Sequence, residues 1–399
     1  MTMKMCAVGP QTETMLNLGH PWVLADRHTR NWPEGKAGEL VGLCDSGGRL
    51  LATALLDPGE RIVARVLQTG ALRLDGAWLQ NRIEAAARLR ELHGRLIDTD
   101  AYRVVNGEGD GLPGLTVDRY GEYLMLQYFT RAWKPHLKLV VEALRRVFQP
   151  LGIYGKFRPQ QTRRLAAGET RRYSRLLFGE AAPPRLQVME NGLHYLVELK
   201  EGLNTGLFCD QRGNRADLMG RVAGHEVLNL FAYTGAFSVA AAAAGAKQVT
   251  SVDASGPYLD WARDNFAVNR LNPKRHRFIL GDCFEVLAEM VRQGRRFDTV
   301  VMDPPSFSTV GKSRFTTSGG TAELVTAALA LLPPGGLLVT SSNHQKVDLA
   351  DYLKELRRGA LQADCALRVI RVAGQGEDFP YPVSFPEGRY LKYVLSVRD

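Results

Sequence analysis

The segment Asp303-Pro-Pro-Ser-Phe307 closes the apolar run Val300-Val-Met302. Two prolines remove two backbone donors and fix φ, so neighbouring carbonyls and the Asp303 carboxylate face whatever lies beyond the strand end. An acid held this way, with Phe307 placed to stack on an extruded base, suits chemistry on a nucleobase. Asp303, Pro304, Pro305 and Phe307 are the first candidate catalytic residues. A second group lies upstream. Val227-Leu-Asn-Leu-Phe-Ala-Tyr-Thr-Gly-Ala-Phe-Ser238 reads as an apolar strand, a turn at Thr234-Gly235 and an alanine-rich helix. In an open α/β sheet such a turn borders the ligand crevice, and a glycine there lets the backbone approach a nucleotide. Asp253 ends the next apolar run, where a carboxylate can accept both ribose hydroxyls. Gly281-Asp-Cys-Phe284 follows another strand and sets Asp282 where an adenine amino group could be met. The candidate cofactor-binding residues are thus Asn229, Phe231, Tyr233, Thr234, Gly235, Asp253, Ser255, Asp282, Cys283 and Asp303. A lone Gly235, in place of Gly-x-Gly-x-x-Gly, favours a nucleoside without a pyrophosphate and disfavours a nicotinamide oxidoreductase. Each segment also has a plainer reading, because prolines often just end strands and strand–turn–helix units are common.

The elements that must position these residues begin near residue 187. From there strands and helices alternate, which predicts a doubly wound, mostly parallel sheet. Strands are expected at His194–Leu199, Glu226–Leu230, Gln248–Val252, Arg277–Leu280, Thr299–Met302 and Gly336–Thr340, with helices including Ala236–Ala244 and Tyr258–Asn269. Ahead of them, residues 16–70 hold short strand-like runs broken by glycine, including a hairpin signal at Asp45-Ser-Gly-Gly48, and predict a small β-barrel. Residues 76–186 mix a helix from about Trp78 to Leu96, strands near Tyr102–Val105, Leu115–Asp118 and Tyr123–Tyr128, a helix near Trp133–Val147 and a strand at Gly152–Lys156. The expected division is 1–75, 76–186 and 187–399.

Charge is concentrated in the middle. The chain of 399 residues carries a formal net charge of +9, and residues 82–175 hold eighteen Lys/Arg against ten Asp/Glu, while the flanking stretches are nearly balanced. Lys156, Arg158, Arg163, Arg164, Arg171, Arg172 and Arg175, interleaved with Tyr154, Phe157 and Tyr173, form the densest run and the candidate RNA-binding residues. A solvated basic face without a partner is the alternative. Cys6, Cys44, Cys209, Cys283 and Cys365 are scattered with no Cys-x-x-Cys pair, so neither a disulfide framework nor a zinc site is expected, and no metal. No apolar run approaches the ~20 residues of a membrane span. A cytoplasmic protein without a membrane partner is the expectation.

Taken together these segments resemble the class I S-adenosylmethionine-dependent methyltransferases, and more narrowly the large-subunit (23S) ribosomal RNA methyltransferases that place a PUA domain and a small α+β domain before a Rossmann-like catalytic domain. The resemblance spans nearly the whole chain: His20-Pro-Trp-Val23, Gly107–Arg119, Thr205-Gly-Leu-Phe-Cys-Asp-Gln-Arg212, the Phe231–Phe237 turn, Ser251-Val-Asp253, Asp303-Pro-Pro305 and Pro386-Glu-Gly-Arg-Tyr-Leu-Lys392. It implies S-adenosylmethionine as cofactor, cofactor contacts from Phe208, Asp210, Gln211 and Arg212, a ribose contact from Asp253, an adenine contact from Asp282, and Asp303-Pro304-Pro305 beside the target base. The partner it implies is large-subunit ribosomal RNA or an assembly intermediate. A homodimer is a further possibility.

One departure bears on the chemistry. Cytosine C5 becomes nucleophilic only after a thiolate adds to C6, and family members acting there carry a Ser-Cys-Ser-like turn. In Leu338-Val-Thr-Ser-Ser-Asn-His344 the cysteine's place is taken by Asn343. That turn resembles the Ser-Asn-Asn of relatives that methylate guanine N7, whose Asp-Pro-Pro-Thr-Phe-Ser also matches Asp303–Ser308. The in-plane lone pair of N7 needs alignment only. Guanine N7 is the expected target, with Asn343 a candidate catalytic residue. Cytosine C5 is the alternative, and a non-catalytic RNA-binding or ribosome-assembly factor is a further one.

Overall fold

The computed structural model describes residues 3–158, 174–202, 204–305, 307–310, 313–316 and 320–399. The alternating half of the sequence builds one seven-stranded sheet. A helix α1 (Arg212–Met219) leads into β1 (Glu226–Leu230), α2 (Ala236–Ala243), β2 (Gln248–Asp253), α3 (Gly256–Val268), β3 (Arg277–Leu280), α4 (Cys283–Arg292) and β4 (Thr299–Met302). Then come α5 (Gly320–Leu329), β5 (Leu337–Ser342), α6 (Leu349–Gln362), β6 (Leu367–Ala373) and β7 (Lys392–Arg398). The strand order is β3-β2-β1-β4-β5-β7-β6. Strands β1 to β5 run parallel, and β7 is antiparallel to both β5 and β6.

Alternation along each central strand feeds two cores, because successive side chains of a strand point to opposite faces. Val227, Val301 and Val339 enter one apolar cluster while Leu228, Val300 and Leu338 enter the other. The winding direction reverses between β1 and β4, so a crevice opens at their carboxyl ends. The strand expected at His194–Leu199 is not part of this sheet. Leu193–Val197 pairs instead with Leu186–Glu190 as a two-stranded hairpin, an arrangement that alternation alone cannot distinguish from sheet membership.

Two further five-stranded sheets precede it. The first contains Lys4–Ala7, Trp22–Leu24, Leu40–Cys44, Leu50–Leu56 and Ile62–Thr69; the second contains Ala101–Asn106, Leu115–Tyr120, Tyr123–Tyr128, Gly152–Phe157 and Arg175–Gly179. They share apolar packing, since Leu55 and Leu67 join Leu79, Ile83, Val105 and Trp133 in one cluster. Helix Gly76–His93 begins at Asp75, whose side chain accepts from Trp78 N, satisfying an amide that has no partner within the helix.

Residues 374–391, between β6 and β7, tie the three sheets together. The carboxylate of Asp378, fully buried, accepts from Arg103 N (2.9 Å) and Arg212 Nη2 (2.8 Å), and its carbonyl accepts from Arg90 Nη2 (2.9 Å). Breaking one partner of such a buried ion pair strands a charge in low dielectric at about 3–5 kcal/mol. Further along, the Phe385 ring lies 4.6 Å from that of Trp22, and Ser384 Oγ donates to Gly19 O at 3.0 Å.

Candidate active site

The crevice is walled by the ends of β1, β2, β4 and β5. After β1 the chain turns sharply: Phe231 (φ 56°) and Tyr233 (φ 52°) both occupy the left-handed region, which L side chains rarely adopt. Asp253, at the end of β2, holds this turn by accepting from Tyr233 N at 2.8 Å and from Ser255 N at 2.9 Å. A carboxylate has about four acceptor positions, so these two bonds leave capacity for ribose hydroxyls while fixing its orientation. Burial pushes its pKa upward against those amides. Phe208, Tyr233 and Tyr258 form an aromatic wall, with ring separations of 5.4 and 4.5 Å. Asp282 caps α4, its Oδ1 accepting from Phe284 N and Glu285 N at 2.9 and 3.3 Å.

Gly235 serves packing more than ligand approach. Its φ is +77°, and a Cβ there would lie 2.7 Å from Ala262 Cβ on α3. Thr234 spends its hydroxyl on Gly206 O and Asn229 spends its amide on Ser238 Oγ (2.9 Å), both side chains being buried. These two pin the turn and α2 from behind, so their side chains are supports of the crevice and not its lining. Arg212 is likewise turned away, donating to Gly94 O (2.7 Å), Arg95 O (2.8 Å) and Asp378.

On the opposite side lies a polar cluster around Asp303. Its carboxylate accepts from Ser341 Oγ and from Gln211 Nε2 (3.1 Å), and Gln211 Oε1 accepts from Asn214 Nδ2 at 2.6 Å. Burial pushes the Asp303 pKa up to about 6, against the two hydrogen bonds that favour its charged form. Pro304 and Pro305 follow it, and Phe307 opens a short strand, Phe307–Val310, paired with Ser313–Thr316. Asn343 follows β5 directly and is exposed.

Asp210 joins the two sides. Its Oδ2 accepts from Tyr390 Oη at 2.6 Å, whereas Oδ1 is buried without a hydrogen-bond partner. An acceptor left so costs of order 1–3 kcal/mol, and an ammonium group of a bound ligand would satisfy it.

The basic run divides. Lys156 is buried, donates to Gly202 O at 3.0 Å, and burial pulls its pKa down to about 8. Arg158 donates to Asn204 Oδ1 at 2.7 Å. Both therefore hold the middle sheet against Gly202 and Asn204, whereas their reading as phosphate contacts expects them turned to solvent. Arg175 is exposed at the start of its strand. Arg163, Arg164, Arg171 and Arg172 lie outside the described residues. A cavity of about 510 Å³ is lined by Arg95, Arg212 and Arg371, but these face Glu377, Asp378 and Asp217 respectively at 3.6, 2.8 and 3.4 Å. Asn214, which bonds Gln211 of the Asp303 cluster, is also part of the cavity lining.

A family model described as S-adenosylmethionine-dependent methyltransferase matches residues 103–381. The chain belongs to the S-adenosylmethionine-dependent methyltransferases. The match takes in the middle sheet as well as most of the catalytic one, and a PUA-like domain model matches residues 8–69. Ribosomal RNA large subunit methyltransferase I from Erwinia tasmaniensis is 34% identical over 380 residues, 94% of each chain. A ribosomal RNA large subunit methyltransferase from Deinococcus radiodurans is 35% identical over 397 residues, 98% of this chain and 97% of that one. Among solved structures, one described as a methyltransferase complexed with SAH has a TM-score of 0.88 at 29% identity, covering 99% of this chain and 100% of the other. A SAM-dependent methyltransferase from Streptococcus mutans has a TM-score of 0.86 at 28% identity, with the same coverage.

S-adenosylmethionine is thus the cofactor of this chain, and the crevice fits it. The orphaned Asp210 Oδ1 suits its amino group, and the spare acceptor positions of Asp253 suit its ribose. Sequence reasoning missed Ser341, Asn214 and Tyr390. Tyr390 lies inside the 386–392 segment, but nothing in the sequence shows which loops that segment touches.

Proposed function

We propose that this enzyme methylates a guanine at N7 in 23S ribosomal RNA. The relatives named above are ribosomal RNA large subunit methyltransferases over almost their whole length, and the PUA-like match and the basic middle region suit an RNA substrate. The observation that carries the choice of base is Asn343, which follows the strand bearing Ser341 and so lies on the Asp303 side of the crevice. The other thiols offer no substitute nucleophile. Cys283 is buried at the start of α4, and burial pushes its pKa up to about 12; burial raises the Cys209 thiol as well. A thiol in that state has almost no thiolate at neutral pH.

The cofactor supplies a sulfonium-bound methyl group, and the protein's part is alignment and electrostatics. The Asn343 amide donates to the guanine acceptor edge and holds the base in its plane. Asp303, ionised above pH about 6, faces the positive charge that develops on the purine as N7 is alkylated, and fixed opposite charge in a partly dry site lowers that barrier. No general base is required, because N7 carries no proton. Stacking of the extruded base on Phe307 belongs to the same reading. Transcripts in which 7-deazaguanosine replaces guanosine test this reading. They should accept no label from labelled cofactor, and undiminished labelling would rule out N7.

A further inference from the structure

The segment Tyr390-Leu-Lys392 carries two polar side chains that reach different walls of the crevice. Lys392 opens β7 and is paired in register with Ser342, the last residue of β5. Its side chain is 4% exposed, and Nζ donates to His344 O at 2.6 Å and to Tyr390 O at 2.9 Å. On the other side of the same turn, Ser342 Oγ accepts from His344 N at 3.3 Å. The backbone of His344, next after Asn343, is therefore held at both its N–H and its carbonyl. Two residues before Lys392, Tyr390 holds Asp210 on the cofactor side. One short segment thus touches both halves of the crevice.

We propose that Lys392 is a positioning residue that fixes the 342–344 turn, and through it Asn343, at the distance from the cofactor that methyl transfer requires, with Tyr390 anchoring the same strut to Asp210. A buried lysine is costly unless its ammonium is met by acceptors, and here both acceptors are main-chain carbonyls whose separation sets the geometry. The two residues act on different halves of the reaction: Tyr390 on a cofactor ligand, Lys392 on the base-side turn. The strut rests on the assignment of Asn343 to the target base, but not on which base that is.

The test uses the full-length enzyme with labelled S-adenosylmethionine and unmodified 23S RNA, counting total label whatever nucleoside carries it. Lys392→Met removes the donor and keeps the stem. It should lower kcat about 10- to 100-fold, the scale of a small misalignment of reacting groups, with the cofactor Kd and the RNA KM within about twofold of wild type. Tyr390→Phe should instead weaken the cofactor Kd by a factor of about 5 to 10, on the scale of one hydrogen bond to a charged group. Ser342→Ala loosens the turn from its other side, and combined with Lys392→Met should cost less than the product of the two single effects. Lys392→Arg, which retains a donor, should recover part of kcat. If Lys392→Met is too unstable to assay, Ser342→Ala and Lys392→Arg carry the same kcat reading. A kcat within twofold of wild type in Lys392→Met, or multiplicative effects in the double variant, would overturn the proposal. Amide exchange at residues 343–345 gives a readout independent of RNA activity. It should quicken about tenfold in Lys392→Met, and no change there contradicts the strut even if the wild-type enzyme transfers nothing to 23S RNA.

Discussion

Ser341→Ala isolates the electrostatics of the site. Ser341 Oγ donates to Asp303 Oδ1, and Gln211 Nε2 donates to Oδ2 at 3.1 Å. Both bonds favour the ionised carboxyl, while burial opposes it, and the balance lies at about 6. A hydrogen bond to a charged group contributes about 1.5–3 kcal/mol, and one pKa unit is 1.36 kcal/mol. Losing the serine should therefore raise the Asp303 pKa by about 1–2 units, to roughly 7–8. If the charged form does the work, single-turnover transfer in the wild type falls below pH about 6. In Ser341→Ala that acid limb should move to about pH 7–8, with activity recovered in alkaline buffer. Cofactor Kd measured by calorimetry at pH 8.5 should be unchanged. Asp303→Asn should abolish the limb and lower transfer at every pH. An acid limb that stays in place in Ser341→Ala would refute the argument. The same shift fixes the sign of a stability effect. Between the ordinary carboxyl value of 3.8 and about 6, the native chain retains a proton that the unfolded chain has released, so this group's contribution to stability falls as pH rises through that window.

Three other outcomes follow from the geometry. Asp253→Ala should weaken cofactor binding at least tenfold by calorimetry, since it removes the ribose acceptor and the anchor for Tyr233 N and Ser255 N; an unchanged Kd would remove Asp253 from the cofactor site. Cys283→Ser should keep transfer within about twofold of wild type, because the thiol is buried and protonated; loss of activity with retained cofactor binding would make it the nucleophile. Alanine at Arg163, Arg164, Arg171 and Arg172 together should reduce the slope of log K against log salt for RNA by up to about 3, at ~0.7 per single-strand phosphate contact, leaving cofactor Kd alone. An unchanged slope would mark that run as a solvated surface.

The catalytic sheet was legible because its strands are short apolar runs at regular spacing: Glu226–Leu230, Arg277–Leu280 and Thr299–Met302 begin and end where alternation and the turns at Gly235, Asp282 and Asp303 place them. The hairpin strand Leu193–Val197 was not separable, since periodicity reports a half-buried strand and not the sheet it joins. Within the site, the acids at strand ends could be read because strand ends are where a crevice opens. Side-chain direction could not. Lys156 and Arg158 look in sequence like the arginines that follow them, yet tertiary contacts turn them inward onto Gly202 and Asn204. Asn229 and Thr234 flank the turn as ligands would, but their polar atoms are spent behind it. Ser341, Tyr390 and Lys392 depend on strand register between β5 and β7, a long-range pairing that no local pattern announces.

The central claim is the identity of the methylated atom. The most direct measurement incubates the enzyme with isotopically labelled S-adenosylmethionine and unmodified 23S RNA, digests to nucleosides and identifies the labelled species by mass spectrometry. Labelled 7-methylguanosine is the predicted product; labelled 5-methylcytidine would contradict the account and require a thiolate that neither Cys209 nor Cys283 provides.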